Sequence, residues 1–318
     1  MNIKEKNITV TGGRGFLGKH LVRKLKAKGW RNVYAADLPD FDLRRLDDIL
    51  RMYNEQKLDI VIHLAAVVGG IGANQKSPGR FFYENAIMGI LLLHQAFLHQ
   101  IEKFVALGTV CCYPKNTPVP FKEEHLWNGY PEETNAPYGL AKKMLLVQSQ
   151  AYRKEHGFNS IFLMPANIYG PGDNCDLQSS HVIPALIRKC IEAKENGIPQ
   201  ITVWGTGKAS REFLYVEDAA EAISLAMEKY DKSDPVNIGT GREISIKDLV
   251  KLICRMTGYK GRVVWDSSKT DGQPRRMLNT QKAEQEFGFN ASTNLEQGLK
   301  RTIDWYQHFL RRQAGHSY

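Results

Sequence analysis

The stretch NITVTGGRGFLG, residues 7–18, joins a short apolar run to a helical pattern through three glycines, Gly12, Gly15 and Gly18. Gly12 suits a tight turn, Gly15 suits close approach of the backbone to a pyrophosphate, and Gly18 suits close helix packing. A helix that opens here offers unpaired N–H groups and a positive field to an anion. A glycine triplet alone is also compatible with a plain strand–turn–helix. The strand before it and the helix after it supply the context. Phe16, Leu17, His20, Leu21, Lys24 and Leu25 recur near helical spacing, and Gly29 stops the helix.

Outward from this turn, RNVYAAD reads as a second strand and DLRRLDDILRMYNEQ as a second helix. LDIVIHLAA reads as a buried strand, residues 80–100 as a helix, and KFVALGTVCC as a strand running through both cysteines. A polar loop then leads to the helix YGLAKKMLLVQSQAYRKEHG and the strand and loop SIFLMPANIYGPG. This βαβαβ alternation with continuously apolar strands predicts an α/β Rossmann-type parallel sheet flanked by helices. The pattern changes after residue 165. The expected division is a dinucleotide domain over 1–165 and a smaller mixed α/β substrate domain over 166–318, with strands or helices exchanged between them.

The 318 residues carry 43 lysines and arginines against 34 acids, a net charge of +9 that suits an anionic small molecule as well as nucleic acid. The basic residues are dispersed and match no nucleic-acid motif, so no nucleic-acid partner is expected. The longest apolar runs read as too short for a bilayer, and MNIKEKNITVTGG does not read as a signal sequence. Five cysteines without a CxxC pair argue against a disulfide framework or a metal ribbon, and the expected location is the reducing cytoplasm.

Asp37 closes the second strand, where an acid commonly accepts from the adenosine ribose and favours NAD. Arg14, inside the glycine turn, offers the cation that a 2′-phosphate prefers. Residue chemistry leaves the two cofactors open. Asp42 suits either the adenine region or an N-cap.

Tyr138 and Lys142 stand at i and i+4 of one helix and share a face. An ammonium beside a phenol favours the phenolate, so the pair suits proton transfer, and Lys142 is expected to lower the pKa of Tyr138. In LGTVCCYP, residues 107–114, strand alternation places Thr109 and Cys111 on one side and Cys112 on the other. Packing accounts for Cys112, and packing or chemistry for Cys111. His181, opening a helix, reads as a cap, a packing residue or an acid/base group.

TGGRGFLG, LAAVVGGIGAN, LGTVCCYP, NAPYGLAKK, MPANIYGPGDN, SSHVIPALIRK, VWGTGKASREFLYVEDAA and DGQPRRML together resemble the GDP-L-fucose synthase family of extended short-chain dehydrogenase/reductases. The resemblance covers residues 9–280 and continues into the helices beyond. It implies conversion of GDP-4-keto-6-deoxy-D-mannose to GDP-L-fucose, by epimerisation at C3 and C5 and then reduction at C4. Thr109, where the family often has serine, Tyr138 and Lys142 would serve reduction. Cys111 and His181 would be the epimerising base and acid. By the same resemblance, Phe16, Leu17, Leu64, Ala65, Ala66, Pro165, Asn167, Ile168 and His181 join the cofactor side, with Tyr138 and Lys142. Asn167, Val182, Leu186, Lys189, Trp204, Arg211 and Arg276 join the substrate side. Lys189 stands for a frequent arginine and Arg276 for a frequent lysine. Arg211 and Arg276 are expected on the diphosphate. The family implies NADP(H) and a homodimer, while Asp37 keeps NAD(H) in view. Alternatives are a 3,5-epimerase without reduction, a reductase or 4-epimerase of a related nucleotide sugar, and a nucleotide-sensing scaffold.

Overall fold

β1 (Asn7–Thr11) is buried from Ile8 onward, as an inner strand of a parallel sheet must be. The computed structural model describes residues 3–315; residues 1–2 and 316–318, the outer ends of the two expected domains, lie outside the described residues. After β1 come α1 (Phe16–Ala27), β2 (Asn32–Ala36), α2 (Leu46–Glu55) and β3 (Ile60–His63). They are followed by α3 (Ile71–Lys76), α4 (Pro78–Leu98), β4 (Lys103–Leu107), α5 (Ala136–His156) and β5 (Ser160–Pro165). The rest of the chain forms β6 (Asn167–Tyr169), α6 (Val182–Glu195), β7 (Gln200–Trp204), β8 (Ser210–Tyr215), α7 (Val216–Lys229) and β9 (Val236–Ile238). It ends in β10 (Glu243–Ser245), α8 (Ile246–Thr257), β11 (Arg262–Asp266), α9 (Gln281–Phe287) and α10 (Leu295–Gly315).

Six parallel strands make the main sheet in the order β2-β1-β3-β4-β5-β9. Val10 lies opposite Ala35 on one side and Ile62 on the other, which fixes the register at the sheet centre. The chain steps outward from β1 to β2 and then returns to place β3 on β1's other flank. A crevice opens at the carboxyl ends of strands where the order reverses in this way. The glycine turn after β1 and residues 64–66 after β3 stand at that crevice, with Leu64 N–H donating to Thr11 O at 3.1 Å.

The expected strand and loop SIFLMPANIYGPG contains two strands in two sheets. Ala166 bonds back to Ile238 of β9, whereas β6 pairs in parallel with β8, which is antiparallel to β10. β7 and β11 form a separate parallel pair. The second apolar core packs α6 and α8 beneath these strands. β8, β10, β11, α3 and α9 have no counterpart in the sequence reading.

α4 corrects another expectation. It is long and apolar enough to cross a bilayer by composition (hydropathy 1.3), yet half of that window is buried in this fold, where α4 packs on α5 and α2.

Candidate active site

The glycine turn is built for close approach. Gly12 has φ +71°, the left-handed region that favours glycine, and a Cβ on Gly18 would lie 2.0 Å from Gly12 O. α1 therefore starts hard against the turn with its N-terminus facing the crevice. The turn and the field of α1 fit a dinucleotide pyrophosphate. Asp37 accepts from the Arg14 backbone N–H, and the Arg14 guanidinium pairs with Asp40. Burial raises the pKa of the Asp37 carboxyl, and the Arg14 contacts partly offset this. Asp42 does not cap α2. It accepts from Arg44 N–H at 3.1 Å and Arg44 Nε at 2.8 Å, and Arg45 occupies the N-cap position.

β4 ends at Leu107, so the strand expected through Cys112 does not form. Thr109 instead opens a single 3-10 turn, Val110–Cys112, and its Oγ1 accepts from Cys111 N–H at 3.2 Å. Strand alternation therefore cannot be what separates the cysteines. The turn turns Cys111 toward the cavity, while Cys112 is fully buried and its thiol donates to Gly139 O at 3.3 Å. Gly139 makes this seating possible, because a Cβ there would lie 2.4 Å from Cys111 O.

Tyr138 and Lys142 do share one face of α5 at the cavity wall. The expected electrostatics differ. Desolvation raises the pKa of Tyr138, Cys111 and Cys112 add to the rise, and the Thr109 hydroxyl opposes it. Lys142, only 2% exposed, is itself pushed down to about 8 by desolvation. The shift on the phenol is thus upward and set by burial, opposite to the lowering expected from Lys142.

His181 is the N-cap of α6 through its backbone, without a side-chain capping bond, and its ring is exposed to the cleft. The enclosing walls lower its pKa by desolvation, which favours the neutral ring. Asn167 Nδ2 donates to Glu212 O at 2.8 Å, and Lys189 Nζ donates to Thr202 O at 2.8 Å. Trp204 is half exposed, with the Lys269 ammonium 5.5 Å from its ring centre.

One cavity of about 1150 Å³ collects these groups. Gly12, Arg14, Gly15, Phe16, Leu17, Gly18, Asp37, Leu64, Ala65 and Ala66 line its dinucleotide end. Thr109, Cys111, Tyr138, Lys142, Pro165, Asn167, Ile168, His181, Val182, Leu186, Lys189, Trp204, Arg211 and Arg276 line the rest of it, with Arg276 Nη1 3.4 Å from Cys111 Sγ. Arg211 and Arg276 are 8% and 6% exposed, and among the described residues neither forms an ion pair with a carboxylate. Desolvation, then repulsion from Arg276, pushes Arg211 down to about 9. Two buried guanidiniums side by side invite an anion.

Three further residues escaped sequence reasoning. Gly139 and Gln273 lay inside quoted motifs, but only tertiary contacts reveal their work. Asp173, in YGPGDN, lines the cavity with an unpartnered Oδ2, and burial raises its carboxyl to about 7.

A parallel sheet, a glycine-turn crevice and a Tyr138–Lys142 helix meeting in one cleft define a nucleotide-sugar epimerase/oxidoreductase of the NAD dependent epimerase/dehydratase family, whose model matches residues 8–239. GDP-L-fucose synthase 1 of Arabidopsis thaliana is 39% identical over 306 residues, covering 96% of this chain and 94% of the relative. A GDP-6-OMe-4-keto-L-xylo-heptose reductase from C. jejuni superposes with TM-score 0.90 at 27% identity, covering 96% and 99% of the two chains. A GDP-L-fucose synthetase from Naegleria fowleri bound to NADP gives TM-score 0.86 at 29% identity, covering 96% and 95%. Within the larger family, the chain belongs to the GDP-L-fucose synthase family.

Proposed function

We propose that the chain converts GDP-4-keto-6-deoxy-D-mannose to GDP-L-fucose by inversion at C3 and C5 followed by NADPH-dependent reduction at C4. The observation that supports this most is the meeting of Cys111 and His181 with Thr109, Tyr138 and Lys142 on one cavity. A reductase needs only the last three.

Hydrogens at C3 and C5 are acidic because each lies beside the C4 ketone. Thr109 and Tyr138 would polarise the C4 oxygen and stabilise the enolate. The Cys111 thiolate would take the proton from one face, leaving a thiol. His181 would return a proton to the same carbon from the opposite face. Between the two inversions, Cys111 must lose its proton to solvent and His181 must regain one. The bound nicotinamide supplies hydride chemistry to C4. Tyr138 would then protonate the forming C4 alkoxide, and Lys142 would help the phenol recover its proton.

NADP(H) is the proposed cofactor, supported by the NADP bound to the Naegleria relative and by Arg14 in the glycine turn. Incubation with GDP-4-keto-6-deoxymannose and either NADPH or NADH, with identification of the sugar, tests the whole reading. Oxidation of neither cofactor would sink it. A second reading, reduction of a GDP-linked ketone without epimerisation, is favoured by the likeness to the heptose reductase. Under that reading no solvent deuterium enters C3 or C5 in D2O. We also propose that the enzyme works in the cytoplasm, since five free thiols, one of them functional, suit a reducing compartment. Fractionation of cells expressing it checks this.

A further inference from the structure

Arg276 lines the cavity, but its guanidinium is already engaged there. Its Nη1 donates to Cys111 Sγ at 3.4 Å and its Nε donates to Gln273 Oε1 at 2.8 Å. Gln273, 1% exposed, is itself pinned, with Nε2 donating to Pro114 O and Lys115 O at 2.9 Å each. The backbone around it is equally held. Arg276 N–H donates to Ser210 O at 3.2 Å, and Ser210 N–H donates to Pro274 O at 3.0 Å. The relay thus starts from carbonyls just beyond the cysteine turn and returns to the cysteine through a guanidinium.

The geometry points to a division of labour between the two buried arginines. Arg276 is the counter-ion of the Cys111 thiolate, and Gln273 is the positioning residue that aims it. Arg211, held by Ser210 O at 2.7 Å and Asp271 O at 2.8 Å, remains for the substrate's diphosphate. Three physical arguments carry this. The thiolate is the reactive form of a cysteine, and a neighbouring guanidinium favours it. A planar guanidinium can bond Gln273 along one edge and Cys111 along another, which a lysine at this position could not reproduce. The ion pair also gives a buried cation the anion it otherwise lacks.

The proposal rests on the epimerase reading above. In each inversion the C–H electron pair passes to the C4 oxygen, the proton passes to Cys111 Sγ, and Arg276 stays protonated throughout. No oxidant or reductant enters.

The test has one arm that needs no substrate. Iodoacetamide labelling at pH 7.5 is followed peptide by peptide in the NADPH-bound wild type and in Arg276→Gln, Arg276→Lys and Gln273→Leu. Labelling at Cys111 is expected to slow about tenfold in Arg276→Gln and Gln273→Leu, and less in Arg276→Lys. Labelling at Cys254, half-buried and with its pKa lowered by the Cys190 hydrogen bond, serves as the reference and should not change. The second arm measures deuterium wash-in at C3 and C5 of the keto-sugar, which is expected to fall in parallel, with little change in KM for Gln273→Leu. Unchanged Cys111 labelling with a raised KM in the Arg276 variants would overturn the proposal and return Arg276 to the diphosphate. If Arg276→Gln does not fold, Arg276→Lys and Gln273→Leu decide the matter by the same readings. Absence of wash-in in the wild type would refute the epimerase reading alone, because the labelling arm still reports the Arg276–Cys111 coupling.

Discussion

Cys111 and Cys112 are adjacent in sequence but face different environments. Cys111 faces the cavity and Arg276, while Cys112 sits fully buried behind it on Gly139 O. Desolvation pushes the Cys112 thiol up to about 12, so it stays a thiol in any ordinary buffer. Cys111→Ser is expected to lower deuterium wash-in at C3 and C5 by roughly 10²-fold or more, the scale of a lost general base. The same variant should still oxidise NADPH with a ketone that needs no inversion. Cys112→Ser should retain wash-in and lose about 1 kcal/mol of stability, read from urea unfolding. Equal loss of wash-in in both variants would show that the pair acts as a packing unit. The separation of environments was legible in the sequence, but its cause was not. Periodicity carried the strand five residues past its real end at Leu107, because Gly108 and the Thr109 hydroxyl close a turn that alternation cannot reveal.

At the scale of elements, the site depends on how tightly α5 approaches the Cys111 turn and on what lies beneath β3. Gly139→Ala would drive a methyl into Cys111 O, and the backbone on both sides is held, so the turn must shift. Overpacking of this kind costs about 1–3 kcal/mol. The expected result is a lower Tm together with slower wash-in, whereas unchanged wash-in would mean that the turn tolerates displacement. β3 ends in His63, fully buried, with Nδ1 on Thr11 Oγ1 at 2.8 Å and Nε2 unpartnered. Desolvation, then the Lys142 charge, holds its pKa well below 6.5. The folded state therefore keeps this ring neutral while the unfolded chain protonates it below about pH 6.5, so stability falls as pH falls through that value. Between pH 7.5 and 5.5 this group alone removes about 1.4 kcal/mol. Urea unfolding of wild type and His63→Gln at the two pH values checks it, since the variant should lose that much less on acidification. Helices, inner strands and the glycine turn were readable because each writes a period or a local conformational demand into the sequence. β8, β11 and the split between β5 and β6 were not. Their pairing is with distant partners, and a three-residue strand such as β6 is too short to show a period.

For the whole molecule, the sheet order explains why one cleft receives residues from both sides of residue 165, and the surface explains what remains open. α4 presents Tyr83, Ile87, Ile90 and His94 at helical spacing toward solvent, all partly or well exposed. α5, packed beside it, presents Met144, Val147 and Ala151 at i, i+3 and i+7. Val147 is 50% exposed and Tyr83 62%, so the two stripes leave a contiguous apolar face that a soluble monomer rarely shows. A second copy with its own two stripes can cover that face by a two-fold axis, forming a four-helix contact in which each residue meets a self-complementary surface. This is the basis for proposing a homodimer. Light scattering after size exclusion at about 10 µM should give the mass of two chains for the wild type, and Val147→Glu with Ile90→Glu should give the mass of one. The site lies on the other side of α5, where Tyr138 and Lys142 project, so the monomeric variant should keep its cofactor affinity. A wild type that runs as a single chain at every concentration would remove the dimer, and the apolar stripes would then need another cover.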